Sequence, residues 1–275
     1  MMILKAACLA AVLVILLVGM GLGAAACGSS TTDGSVTSTA PPTAPTASTA
    51  STTTTSPPTT QSTTPTTEAP AGDVVVFKDP VLEKGVRAAL NKPTGDITLT
   101  EAATLKELEL SIEFESPEEM RIKDLSGLER FVNLEQLGLQ FHWLGDISPL
   151  RGLTHLKALG LGGNSIRDIT PLAGLTMLDF LSIFNCEATD YSPLENLTSL
   201  RILHIGYSKI SDLSVLLEMK GLEQLTLGNT PVSDVTPLAG LTNLKALELK
   251  DTAVTDFSPL KDIYPNLTEK DFELN

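Results

Sequence analysis

The chain has 275 residues and a net charge of −14, and its composition divides it into three parts. Residues 1–26 are almost entirely apolar or small, residues 27–72 are mostly Ser, Thr, Pro and Ala, and only the remainder has a globular composition. So acidic a protein repels phosphate backbones and disfavours direct adsorption to anionic lipid, which excludes nucleic acid as a partner.

The N-terminus has the pattern of an export signal. Lys5 supplies a short positive region, and the apolar run over residues 9–18 is too short, with its flanks, to favour a transmembrane helix. Small residues then lead to the sequence GLGAAAC, which ends at Cys27. The segment resembles a bacterial lipoprotein signal, although Ala24 stands where such signals usually have leucine. The resemblance implies lipidation of Cys27 and anchoring outside the plasma membrane. The alternative is an ordinary A-x-A cleavage site, which would release the protein.

The segment 27–72 is expected to be a disordered tether, because it has almost no large apolar side chains to bury. Fully stretched, it reaches roughly 150 Å, enough to lift a domain away from a membrane. The three cysteines, Cys8, Cys27 and Cys186, form neither a disulfide framework nor a metal-ligand spacing. The sequence therefore predicts no cofactor and no metal site.

An internal repeat of 22 residues dominates the rest of the chain. The sequence TPLAGLT occurs at both Thr170–Thr176 and Thr236–Thr242. The leucines that keep the period are Leu134, Leu156, Leu178, Leu200, Leu222 and Leu244. The aspartates that keep it are Asp124, Asp146, Asp168, Asp190, Asp212, Asp234 and Asp256. Cation binding needs oxygens converging on one point, whereas one carboxylate per repeat indicates a turn or cap role.

One repeat, residues 156–177, shows how the pattern predicts structure. Leu159 and Leu161 alternate as in a short strand, and Asn164 follows at a turn. Thr170 before Pro171 is typical of a helix start, at which the threonine oxygen caps free N–H groups. A single repeat cannot bury its leucines, so stacked repeats are expected to form a parallel sheet.

These repeats resemble the internalin-type leucine-rich repeats of Gram-positive bacteria, most closely at NSIRDITPLAGLTML, Asn164–Leu178. The resemblance implies an α/β fold. This is a right-handed solenoid with a parallel concave β-sheet, 3₁₀-type convex turns and a helical N-terminal cap. The turn asparagine is kept only at Asn164, and Val215 replaces one proline. The residues that replace the asparagine are His142, Cys186, Ser208, Thr230 and Thr252.

The domain boundaries follow from the same pattern. Residues 1–26 are the lipoprotein signal peptide, 27–72 the tether, 73–103 the helical N-cap, 104–266 about seven repeats, and 267–275 a C-terminal strand or partial cap. The cap helix starts at Asp79-Pro80, with Leu82, Val86, Ala89 and Leu90 on one face. A seven-residue excess between Leu110 and Ile122 predicts a protruding loop. An open edge on the last strand would favour a homodimer.

Strand residues between the inward leucines are expected to face the concave side. Aromatic residues make up only 4% of the chain, yet several fall there. Glycines at 160, 162 and 163 would leave a dip between them. Exposed aromatics around a depression are typical of a binding hot spot. The predicted ligand-binding patch is Phe141, Trp143, Phe180, Phe184, His204 and Tyr207. The alternative for Phe141 and Trp143 is that they pack into the turn, whereas alternation predicts exposure of Phe180 and Phe184.

The sequence thus predicts a cell-surface-anchored, adhesin-like binding protein that is not an enzyme. Its ligand is expected to be a protein, with a glycan as the second choice. One alternative is an extracellular cell-wall or glycan-processing enzyme, which would need converging titratable groups. The histidines at 142, 155 and 204 have no nucleophile or carboxylate in a triad-like arrangement, and no phosphate loop, GxSxG or HExxH is present. The other alternative is a structural component of the cell envelope.

Overall fold

The structure is a computed structural model, and it describes residues 73–274. The predicted signal peptide, the lipidation site Cys27 and the tether lie outside the described residues. Between residues 73 and 274, none of the helices has the length and apolar character needed to cross a bilayer.

Eight short strands form one parallel sheet, in which neighbours along the chain are also neighbours in space. The strands are β1 Glu107–Glu109, β2 Gln136–Gly138, β3 Ala158–Gly160, β4 Phe180–Ser182, β5 Ile202–His204, β6 Gln224–Thr226, β7 Ala246–Glu248 and β8 Glu269–Lys270. Leu137 pairs with Leu159, and Leu159 with Leu181, so the register advances by one repeat per strand. The central leucine of each strand from β1 to β7 is buried, which confirms the predicted solenoid of stacked repeats.

Short 3₁₀ segments turn the chain on the side opposite the sheet. They span Leu128–Arg130, Ser148–Gly152, Thr170–Leu172, Ser192–Leu194, Ser214–Leu216, Thr236–Gly240, Ser258–Leu260 and Tyr264–Asn266, with a further one at Glu118–Met120. The cap predicted from the Thr170 hydroxyl is wrong, because that side chain makes no capping hydrogen bond. Instead the Asp168 carboxylate accepts the Thr170 N–H at 2.8 Å. Each of the other aspartates that keep the 22-residue period likewise accepts the N–H of the residue two positions further along the chain. These bonds confirm the predicted turn role.

The N-terminal cap contains two helices, α1 Pro80–Ala89 and α2 Leu99–Ala102. In α1, Leu82 and Val86 are buried as predicted, but Ala89 is exposed. The sequence analysis missed α2. Its signal is a capping box in which Thr98 and Glu101 bond each other's backbone N–H groups.

Asp79 joins the cap to the first repeat. One carboxylate oxygen accepts the N–H groups of Val81 and Leu82, which caps α1. The other oxygen accepts the N–H groups of Lys123 and Asp124, at 2.6 and 3.3 Å. Asp79 is buried, and its carboxylate fixes α1 to the first repeat at the N-terminal end of the solenoid.

The seven-residue excess forms a loop over residues 111–121, hereafter the insertion loop. It folds around Arg121, whose guanidinium donates to the carbonyl oxygens of Phe114, Ser116 and Phe141. Arg121 is buried although it carries a charge, because these carbonyls and the Trp143 ring enclose it. The loop is thereby fixed to the turn that follows β2.

At the C-terminal end, β8 pairs with β7 in parallel, as a final strand. The Asp271 carboxylate accepts the N–H groups of Leu249 and Lys250, at 2.8 and 2.9 Å. Phe272 stacks on Phe257, with ring centroids 4.9 Å apart. These contacts cover part of the outer end of the last repeat.

Candidate binding surface

The concave side of the sheet carries a strip without formal charge across β2–β6, hereafter the neutral strip. It consists of the two outer residues of each strand and the residue two positions beyond. These are Gln136, Gly138, Gln140, Ala158, Gly160, Gly162, Phe180, Ser182, Phe184, Ile202, His204, Gly206, Gln224, Thr226 and Gly228. Glu109 on β1 and Glu248 on β7 stand at its two ends. Depletion of charge is typical of the centre of a protein interface.

A column of charges runs directly beside the neutral strip, on the residues that precede the strands. Its members alternate in sign: Lys106, Glu135, Lys157, Asp179, Arg201, Glu223 and Lys245. Glu223 pairs with Arg201 at 2.7 Å and with Lys245 at 2.6 Å. Two lysines, 106 and 157, hydrogen-bond Glu135 and hold its pKa down at about 2. The sequence analysis missed this column, although its members from Glu135 to Lys245 keep the same period as the leucines.

The expected exposure of Phe180 is wrong. Phe180 is buried and packs with Ala158 and Ile202 of the flanking strands. Its ring centroid lies 5.6 Å from that of His204. Alternation placed Phe180 on the correct face, but a ring beside a small residue such as Ala158 lies along the sheet.

The expected dip at the glycines is also wrong, because two phenylalanine rings fill it. A Cβ at Gly162 would collide with the Phe184 ring, and one at Gly163 would collide with the Phe141 ring. Both phenylalanines are therefore buried, and their centroids lie 5.6 Å apart. For Phe141 this agrees with the alternative of packing into the turn. For Phe184 the expected exposure is not found.

Trp143 and Tyr207 remain accessible, both in turns that follow strands. The Trp143 side chain is 54% exposed, and the Arg121 guanidinium covers one ring face, 3.8 Å from the centroid. Tyr207 is half-buried. Both have positive φ, as has Phe141 at the start of the β2 turn. Of the six predicted residues, Phe141, Phe180 and Phe184 therefore form a buried aromatic floor, whereas Trp143 and Tyr207 lie at its accessible rim.

His204 is half-buried on the neutral strip, and burial lowers its pKa to about 4. Its imidazole is therefore neutral near pH 7. Nδ1 lies 3.2 Å from the Thr226 hydroxyl, on the next strand. A neutral ring offers one donor and one acceptor, and the buried Nε2 has no hydrogen-bond partner among residues 73–274.

Three polar side chains of the neutral strip have atoms without hydrogen-bond partners among residues 73–274. They are both amide atoms of Gln140, the Ser182 hydroxyl and Nε2 of His204. Buried polar groups are normally hydrogen-bonded, so these atoms are hydrogen-bonding groups of the strip that residues 73–274 leave unpaired. Sequence reasoning selected His204 but missed Gln140 and Ser182, because nothing in the repeat pattern marks an unused hydrogen-bond group.

The part of the chain that the structure describes contains no group of three or more His, Cys, Asp or Glu side chains placed to hold a metal ion. Cys186 is buried in the turn-asparagine position, and burial raises the pKa of its thiol to about 12. The thiol is therefore protonated and a poor nucleophile near neutral pH.

Comparisons with known proteins agree with this fold. An internalin (inlF) from Listeria monocytogenes matches with 36% identity and a TM-score of 0.66, over 71% of this chain and 56% of that chain. An internalin C2 from the same species matches with 29% identity and a TM-score of 0.59, over 72% of this chain and 95% of that chain. The chain thus spans little more than half of the first of these structures. Neither a protein-family model nor a curated protein sequence matches it. Residues 73–274 fold as an internalin-like leucine-rich-repeat solenoid.

Proposed function

We propose that this chain is an exported cell-surface protein that binds a protein ligand on the neutral strip, in an adhesin-like role. The observation that carries the proposal is the strip itself. It lacks formal charge in an acidic protein, and its accessible members are uncharged side chains. A partner would hydrogen-bond the amides of Gln136 and Gln224 while its apolar side chains contact the exposed edges of Ile202 and Tyr207. Likeness to internalins supports the same reading.

The six predicted site residues have two different roles in this proposal. Trp143, His204 and Tyr207 contact the ligand, whereas Phe141, Phe180 and Phe184 form the floor beneath it. Enzymatic activity is not part of the proposal, since binding requires only complementary shape and hydrogen bonding. Homodimer formation through the outer edge of β8 stays a prediction, and sedimentation of the purified chain tests it.

The test places a charge in the strip of the full chain. Ile202→Glu and Thr226→Glu each bury a carboxylate in the interface and should weaken ligand binding about tenfold or more. The ligand is first identified by cross-linking capture from surface proteins and by a glycan panel. Glu195→Gln, an exposed side chain in a convex turn, is the matched control. Unchanged affinity in both strip variants, or turnover of a cell-wall substrate that one substitution abolishes, would refute the proposal.

A further inference from the structure

The insertion loop carries two exposed apolar side chains, and the turn after β2 carries a third. Phe114 is 49% exposed, Met120 50% and Trp143 54%. The Phe114 ring meets Phe141 edge-on at 6.1 Å, and Phe141 begins the turn that contains Trp143. Both segments follow their strands, so they lie at the same edge of the sheet. Such a concentration of exposed apolar groups is typical of an interaction site.

This surface is held in place before any partner arrives. Arg121 donates hydrogen bonds to the carbonyls of Phe114, Ser116 and Phe141, and it stacks on one face of Trp143. More than half of the Trp143 surface nevertheless remains exposed. An ordered surface loses little conformational entropy on binding, which favours affinity.

Acidic side chains surround the apolar groups. Glu113, Glu118 and Glu119 are all exposed on the insertion loop. Glu118 pairs with Lys123 at 2.7 Å. Glu113 and Glu119 have no ion-pair partner among residues 73–274, and the only guanidinium of the loop, that of Arg121, is buried. The loop therefore presents two free carboxylates beside an aromatic surface.

We propose that this insertion patch, Phe114, Met120 and Trp143 with Glu113 and Glu119, docks a basic segment of a protein partner. Lysine or arginine head groups meet the two carboxylates, while their aliphatic stems and neighbouring apolar residues cover the rings. The inference rests on the proposed function in that the partner is a protein. It uses a surface at the edge of the sheet, outside the neutral strip, which shares only Trp143 with the ligand contacts proposed above. A neutral glycan stacked on Trp143 is the competing occupant.

Trp143 is the only tryptophan of the chain, so its fluorescence reports on this patch directly. The full chain is titrated with a short peptide of lysine, leucine and glycine, and with the same peptide carrying glutamate for lysine. We expect the lysine peptide to shift the emission saturably. Its affinity should fall about tenfold between roughly 0.05 and 0.5 M salt, since salt screens exposed charges. The glutamate peptide should give no saturable shift.

Variants assign the effect to the patch. The double variant Glu113→Gln with Glu119→Gln should weaken the lysine peptide at least about fivefold and remove most of its salt dependence. Phe114→Ala should weaken the peptide at every salt concentration. Glu195→Gln removes an exposed carboxylate elsewhere and should change nothing.

Three results would overturn the proposal: equal responses to both peptides, a lysine-peptide affinity independent of salt, or saturation by neutral oligosaccharides alone. The strip variant Ile202→Glu separates this proposal from the preceding one. It should weaken ligand binding on the neutral strip about tenfold or more and leave the titration of Trp143 with the lysine peptide unchanged.

Discussion

At the scale of single residues, the side chain at the turn-asparagine position determines which backbone N–H and carbonyl groups of neighbouring repeats are hydrogen-bonded. Asn164 accepts the Leu144 N–H at 3.0 Å and donates to the carbonyls of Leu139 and Leu161. Cys186, in the next repeat, makes only a long contact from its sulfur to Leu161. Thr230 bonds the carbonyl of Leu227 within its own repeat. Of these three side chains, Asn164 makes the most hydrogen bonds to the preceding repeat.

Replacing Asn164 tests this link. Asn164→Ala removes three hydrogen bonds from buried backbone groups and should lower the free energy of unfolding by about 3 kcal/mol. Urea denaturation measures the change. Asn196→Ala, at an exposed site, is the control and should stay within about 0.5 kcal/mol of the parent. Equal losses in the two variants would contradict the role assigned to Asn164.

His142 fills the turn-asparagine position in the repeat that follows the insertion loop. Its Nδ1 accepts the Ile122 N–H at 3.0 Å, and Nε2 lies 2.8 Å from the Leu110 carbonyl. These two bonds need a neutral ring with its proton on Nε2. Burial lowers the pKa of His142, and the bond to Leu110 opposes that shift only in part.

The lowered pKa predicts a pH dependence of stability. Below about pH 6.5 the unfolded chain takes up a proton that the folded His142 resists, so the free energy of unfolding should fall as the pH falls. His204, whose pKa is also lowered, contributes in the same direction. His142→Asn should therefore make the slope between pH 6.5 and 5 shallower without abolishing it. A slope equal to that of the parent would count against this assignment.

At the scale of the elements, the alternating charge column places opposite charges beside each other on neighbouring repeats. Each strand pairs with its neighbour only over three residues, so short strands alone specify register weakly. If a repeat stacked on the next but one instead of on its neighbour, like charges would lie beside each other along the column. The ion pairs are exposed, so each contributes little stability, and their main effect is on specificity.

Reversing one charge tests the column. Glu223→Lys places three cations side by side, at 201, 223 and 245, and should lower the melting temperature by about 2–4 °C at low salt. Added salt should remove most of the loss, because it screens exposed charges. The control is Glu218→Lys, an exposed glutamate outside the column. If both variants lose equal stability, the column has no special role.

The caps are the other elements that the solenoid requires, because its end repeats have a neighbour on one side only. Asp79→Ala removes four hydrogen bonds from backbone N–H groups to the carboxylate, two that cap α1 and two that join α1 to the first repeat. We expect a loss of about 2–4 kcal/mol and faster amide exchange in α1 and the first turn. Asp96→Ala, at an exposed site nearby, should have little effect. Exchange that rises uniformly along the chain would contradict a local cap role.

At the scale of the whole molecule, the proposed function needs the domain to stay at the cell surface. Replacing Cys27 in the producing cell tests this. Cys27→Ser should abolish incorporation of labelled fatty acid and move the protein from the membrane fraction to the medium. Cys8→Ser is the matched control and should change neither. Release of the parent protein without a lipid label would instead support cleavage at the A-x-A site.

Several features of the fold and one part of the site could be predicted from the sequence. The 22-residue period fixes which leucines enter the core, because stacked repeats place residues one period apart in contact. The aspartate before each 3₁₀ turn belongs to the same pattern, and so does the face on which Phe180 lies. Those features depend on contacts between equivalent positions, which the period identifies.

The exposure of the aromatic residues was decided only in the tertiary structure. Phe184 is buried because Gly162, one repeat earlier, leaves room for its ring, and Phe141 is buried over Gly163, in the following repeat. Likewise, Arg121 becomes the centre of the insertion loop through carbonyls that the sequence does not mark. Alternation determines the side of the sheet, whereas the depth of a side chain depends on the volumes of its lateral neighbours.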